Sequence, residues 1–164
     1  MVNHEPELAM KYFLVDKVDS LESGKRIKTS KCVTLAEEYL SDHFPTFPVL
    51  PGVLQLQGLI ESAAWLVREA ENFAHSMILL KQTRNVKFKR FLAPGEKINY
   101  TITVKALDEE LSSFVGHGES EGRRVVEARF ALRHFNLVDR SDSFASADAE
   151  VIESLKSRWK ILCL

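Results

Sequence analysis

The chain has 164 residues, 45% of them hydrophobic and 27% charged: enough apolar material for the core of one ordinary domain, and too much for a disordered or fibrous chain. A formal net charge of −1 removes the basic excess on which nucleic-acid binding usually rests. No window approaches ~18 uninterrupted apolar residues, so no membrane span is expected, and the opening MVNHEPELAM lacks the basic start and apolar run of a secretory leader.

In chain order, Tyr12 to Asp19 and Lys25 to Thr34 read as two strands around the turn Glu22-Ser23-Gly24. Thr34 is placed to cap a short helix, Leu35 to Leu40, whose Glu37 and Glu38 suit a helix start. Asp42 to Leu50 must be loop, because Pro45, Pro48 and Pro51 remove backbone donors and push their predecessors toward extended geometry. A long helix opens at Pro51, a favoured first-turn residue, and runs to about Asn72. Val53, Leu56, Ile60, Ala63, Ala64 and Val67 give it a broad apolar face, widened by Leu59 and Leu66. Gln55, Ser62 and Glu69 form a polar stripe read as the solvated side, and Gln57, Glu61 and Arg68 border the apolar face.

Strand composition follows: Met77 to Phe91, Lys97 to Leu107, Leu111 to Ser120 and Arg123 to Phe135, with turns at Pro94-Gly95 and Glu121-Gly122. One long helix before a run of hairpin-type strands argues an α+β fold, an antiparallel sheet packed on the helix. Residues 1–138 form this domain; residues 136–147 read as a linker, and Val151, Ile152, Leu155 and Trp159 mark a C-terminal amphipathic helix, read as a docking or interface appendage. Cys32 and Cys163 stand in no metal-ligand spacing, so reduced thiols and a cytoplasmic setting are expected.

The stretch His43-Phe-Pro-Thr-Phe-Pro-Val-Leu-Pro-Gly-Val-Leu54, running straight into the helix, resembles the signature of the (3R)-hydroxyacyl-[acyl carrier protein] dehydratases of bacterial fatty-acid synthesis. The likeness extends through FLVDKV (13–18), VKFKRFLAPGE (86–96) and GRRVVEA (122–128). It implies a hot-dog fold, the sheet wrapped around the central helix, in a homodimer with continuous sheets, commonly a trimer of dimers. It also implies active sites shared across subunits, an acyl carrier protein as bearer of the substrate, and no metal or organic cofactor.

The chemistry accounts for the residue types. Removing water from a 3-hydroxyacyl thioester needs a base for the C2 proton, an acid for the leaving hydroxyl, and donors for the charge that builds on the thioester oxygen. By resemblance His43 is the base, oriented by the Val49 carbonyl, and the N–H groups around Gly52 receive the oxygen. His4, His75, His117 and His134 lack such a setting and are read as surface or structural.

Where the family carries Glu or Asp, this chain has Gln57, an amide with no transferable proton near neutral pH. Glu61 stands one turn on, ~6 Å along the axis, as a substitute acid. Without one, the same pocket belongs to a non-catalytic acyl-thioester-binding homologue or a partner subunit of an active paralogue; a hot-dog thioesterase is the third alternative. Thr46 stands at the family's usual glycine, and Phe47 at the tunnel mouth where small or polar residues are common. Arg84, Lys87, Lys89 and Arg90 form a basic stretch suited to docking an acidic carrier protein.

Overall fold

The computed structural model describes residues 13–164. Six antiparallel strands, β1 (Lys17–Glu22), β2 (Arg26–Cys32), β3 (Met77–Phe88), β4 (Lys97–Leu107), β5 (Leu111–Ser120) and β6 (Arg123–Phe135), form one sheet in the order β1-β2-β4-β5-β6-β3. Between β2 and β3 lie α1 (Glu38–Asp42) and the long α2 (Gly52–Ala70); two short 3-10 turns and α3 (Ala145–Leu162) end the chain. The sheet wraps α2, which is the hot-dog arrangement. Among the described residues no helix is long and apolar enough to cross a membrane.

The core lies between α2 and the inner face of the sheet. Leu59, Ala63, Leu66 and Val67 are buried against a layer that includes Ile98, Tyr100, Ile102, Phe114 and Phe130, the last two rings stacked at 5.4 Å. Gly58 permits this close approach, because a Cβ there would collide with the Tyr100 ring and hydroxyl.

Three expectations change. The solvated stripe of α2 is inverted: Gln55 and Ser62 are buried, Ser62 Oγ lying 2.7 Å from Thr29 Oγ1 and donating to the Gly58 carbonyl at 2.6 Å, whereas Val53 is 67% exposed. A helix apolar on most of its circumference does not fix its own phase, and the close contact at Gly58 does. α1 starts at Glu38 rather than Leu35 and lacks a side-chain cap, because the Glu37 carboxylate is drawn to buried Lys31 at 2.6 Å. β1 starts at Lys17, since Asp16 turns its carboxylate onto the Cys32 N–H (2.8 Å); Tyr12, the expected first strand residue, lies outside the described residues.

Residues 136–147 are less a free linker than a moored turn. The buried Asp148 carboxylate accepts from the N–H groups of Leu137 (2.9 Å) and Val138 (2.8 Å) and from the Ser76 hydroxyl, so α3 begins at Ala145, ahead of Val151. α3 then lies on the same chain's α2, with Leu162 fully buried and Trp159 stacked on Trp65.

Candidate active site

The start of α2 is built by three prolines and a glycine. The N–H groups of Leu54 and Gln55 close on the Pro51 carbonyl at 3.0 and 3.1 Å, which leaves those of Gly52 and Val53 without a carbonyl partner among the described residues. With the helix dipole behind them, they form a ready receptor for a partly negative oxygen. Gly52 floors a groove of about 270 Å³ walled by Phe88 and Phe91 and rimmed by Lys89 and Arg90. The Phe88 ring lies so close that a Cβ on Gly52 would stand 3.2 Å from it.

Gln55 lines the same groove, and reading the sequence placed it on the wrong side. Its Nε2 donates to the Leu50 carbonyl at 3.3 Å, while its buried Oε1 has no partner among the described residues. The signal available was its position between Gly52 and Leu59 on the sheet-facing side of the helix, visible only once the phase of α2 is known.

His43 closes α1, its N–H donating to the Tyr39 carbonyl at 3.2 Å and its ring 4.5 Å from that of Phe44. Phe44 is held at φ +49°, a left-handed conformation that costs a bulky residue about 1–2 kcal/mol, in a turn closed by Phe47 N–H on the Phe44 carbonyl at 2.8 Å. Among the described residues the His43 ring has no hydrogen-bond partner, so the expected bond to the Val49 carbonyl is not formed here; Val49 itself is buried. Phe47 meets Phe91 edge-on at 6.0 Å, which sets an aromatic pair beside the Gly52 groove.

Gln57 is exposed and opens on the opposite side of α2, into a groove of about 560 Å³ shared with Glu61, Trp65 and Arg68 and roofed by α3. Glu61 accepts from the Leu14 N–H (2.8 Å) and the Trp65 indole (3.4 Å). Burial raises its pKa above the ordinary carboxylate value, against the lowering effect of those bonds and of Arg158 and Arg68. Burial also pushes Arg68 down to about 10, with Glu61 opposing. One chain thus brings Gln57 to Glu61, and Gly52 to Gln55 and the phenylalanines. His43 lines neither groove.

The basic stretch is largely paired. Lys89 and Lys87 reach Glu127 at 2.9 and 3.6 Å, and Arg90 pairs with Glu96. Arg84 faces Arg129 across the β3–β6 ladder, and neither has an acidic partner among the described residues.

A family model described as ApeI-like, ApeI dehydratase, matches residues 19–126. The 3-hydroxyacyl-[acyl-carrier-protein] dehydratase FabZ of Oenococcus oeni is 32% identical over 115 residues, covering 70% of this chain and 83% of that protein. FabZ of Erythrobacter litoralis is 33% identical over 119 residues, covering 71% and 79%. Among solved structures, the dehydratase heterocomplex ApeI:P from Xenorhabdus doucetiae superposes with a TM-score of 0.65 at 18% identity, covering 81% of this chain and 90% of that one. A hypothetical thioesterase with coenzyme A from Streptococcus pneumoniae gives 0.53 at 11% identity, covering 72% and 84%. At these identities the structural likeness concerns the fold alone.

Proposed function

The chain belongs to the ApeI-like dehydratase family, and from that premise we propose that it removes water from 3-hydroxyacyl chains carried on acyl carrier protein, giving trans-2-enoyl thioesters. The observation that carries the reading is the unpartnered Gly52 and Val53 N–H pair, set at a helix start in an apolar groove directly after the His43 loop. The thioester oxygen sits on that pair, His43 takes the C2 proton, and charge moving onto the oxygen is stabilised by fixed donors. Phe88 and Phe91 wall the acyl chain, and Gln55 Oε1 offers an acceptor to a polar group of the substrate.

Gln57 binds the leaving hydroxyl but has no proton to give. Glu61 supplies it through a water held by Gln57: it shares that groove, and its raised pKa favours the protonated form. The hydroxyl leaves as water; His43 then passes the C2 proton to solvent and Glu61 takes a proton back from solvent, which restores both groups.

Gly52 and Gln57 open on opposite sides of α2, which supports a site completed by a second subunit. The exposed edge strand β3, with Leu79, Leu80 and Phe88 at 47%, 43% and 52% exposure, is the surface for that pairing. A homodimer is the basic unit and a trimer of dimers the assembly, in a cytoplasmic setting. A second reading rests on Gln57: His43 of this chain works with the carboxylate of a paralogous partner; the ApeI:P structure, a dehydratase heterocomplex, supports the pairing of unlike chains in this fold.

The test is a hydration and dehydration assay on carrier-linked trans-2-enoyl and 3-hydroxyacyl thioesters, with the protein alone and with an acid-bearing paralogue. Turnover by the protein alone supports the first reading. Turnover only in the mixture supports the second. Tight binding of the thioester without turnover in either sinks both.

A further inference from the structure

At the end of α2 away from Gly52, three elements bring imidazole and carboxylate groups together. Glu71 follows the last turn of α2, His75 lies four residues on in the loop before β3, and His134 comes from β6, where it pairs with Ile78. The Glu71 carboxylate stands between the rings: Oε2 is 2.8 Å from His75 Nδ1, and Oε1 is 2.9 Å from His134 Nδ1. All the candidate ligand atoms lie within 4.8 Å of one another.

We propose that Glu71, His75 and His134 form a binding site for a divalent first-row transition ion, zinc foremost. Two imidazole nitrogens and one carboxylate are a donor set that suits zinc and its neighbours, whereas calcium and magnesium call for oxygen alone. Bonds of about 2.0–2.2 Å place tetrahedral ligand atoms roughly 3.3 Å apart, so the two carboxylate–imidazole contacts open by about half an ångström while ligand atoms now up to 4.8 Å apart close by about 1.5 Å.

The surroundings are those of a built site. The single side chain of Asn136 locks the loop on both sides of His75, accepting from the Ser76 N–H at 2.8 Å and donating to the Ala74 carbonyl at 3.1 Å. Ser76 is held in addition by Asp148 at the root of α3. His134 is fully buried and commits only Nδ1, since its Nε2 has no partner among the described residues, so the ring does not bridge two polar groups there. The His75 and Glu71 side chains keep 20% and 15% exposure, which gives the ion an entry path and room for water as fourth ligand. Nothing in the proposed dehydration chemistry uses these residues. No spacing signal marked them, because His134 comes from a distant strand.

The experiment titrates zinc chloride into EDTA-stripped full-length protein by calorimetry, with cobalt(II) as a spectroscopic substitute and circular dichroism as the check on folding. The wild type is expected to take up one ion per chain at micromolar or tighter Kd, with a melting temperature rise of about 5 °C at saturating zinc. His75→Ala and Glu71→Gln, both at partly exposed positions, should weaken binding by roughly 100-fold, and Asn136→Ala by about tenfold. The absence of uptake by the wild type overturns the proposal. So does uptake that survives His75→Ala and is lost on replacing Cys32 and Cys163 by Ser, which would put the ion on the exposed thiols.

Discussion

The indole of Trp159 stacks on that of Trp65, 5.8 Å between centroids and 27° between planes, and so fixes α3 to the outward side of α2. Around this pair, Arg158 covers the Phe13 ring at 4.1 Å and donates to the Val15 carbonyl at 3.3 Å. Trp159→Ala is expected to lower unfolding stability by about 1–3 kcal/mol, the range for a part-buried aromatic that also loses its ring partner. Urea denaturation followed by Trp65 fluorescence measures it. A change below a few tenths of a kcal/mol would mean that α3 is not held by this contact.

Gln57→Glu should raise dehydratase turnover above wild type, because it puts a transferable proton where Gln57 has none. General acid catalysis contributes about 10²–10⁴-fold, so even an imperfectly placed carboxyl gives a visible gain. Glu61→Gln in the wild-type background should cut kcat by about 100-fold and remove the fall in activity at high pH, since a general acid works only while protonated. In the Gln57→Glu background the same change should matter far less. Equal losses in the two backgrounds would reduce Glu61 to a brace for Leu14 and Trp65.

Asp148 predicts an acid-sensitive mooring of α3. Burial alone would raise its pKa, but the bonds from Ser76, Val138 and Leu137 outweigh it and hold the carboxyl below its ordinary value. A depressed folded pKa means that the stabilisation is present above the unfolded value, about 3.9, and is lost as pH falls through the lower folded value. Melting temperature should therefore fall more steeply as pH drops below about 4 in the wild type than in Asp148→Asn, which should be less stable at pH 7. Parallel pH profiles for the two proteins would remove Asp148 from the account.

Carrier docking should depend on Arg84 more than on its basic neighbours. Lys87 and Lys89 share Glu127, while Arg84 confronts Arg129 and has no acidic partner among the described residues. Arg84→Glu is expected to raise KM for a carrier-linked substrate about tenfold, with the effect shrinking as salt screens exposed charges. A small thioester without the carrier should be processed as before. Equal losses on both substrates would indicate damage to β3 instead.

Strands β4, β5 and β6 occupy the ranges that alternation and the Pro94-Gly95 and Glu121-Gly122 turns assign to them, because adjacent hairpins are local and carry their punctuation in the sequence. The phase of α2 was not legible. Apolar residues lie around most of that helix, and the orientation is settled by Gly58 against Tyr100, a contact from a distant strand. The same holds for the site. Of the motif residues only Gly52 lines the groove, His43 standing outside it, and the aromatic walls come from residues beyond the motif. Likewise the pairing of Lys87 and Lys89 with Glu127 depends on the cross-strand register of β3 and β6.

The strand order carries a consequence for how the chain acquires its structure. β3 is made before β4, β5 and β6, yet among the described residues its one neighbour in the sheet is β6, the last of the six strands. As synthesis proceeds from the N-terminus, Leu79, Leu80 and Phe88 wait unpaired while two hairpins form beyond them. Such delayed, non-local closure slows folding and prolongs the exposure of a sticky edge. A chain interrupted anywhere before Phe135 leaves that edge without its full mate, so nascent chains stalled there are the species most exposed to aggregation and to chaperone capture.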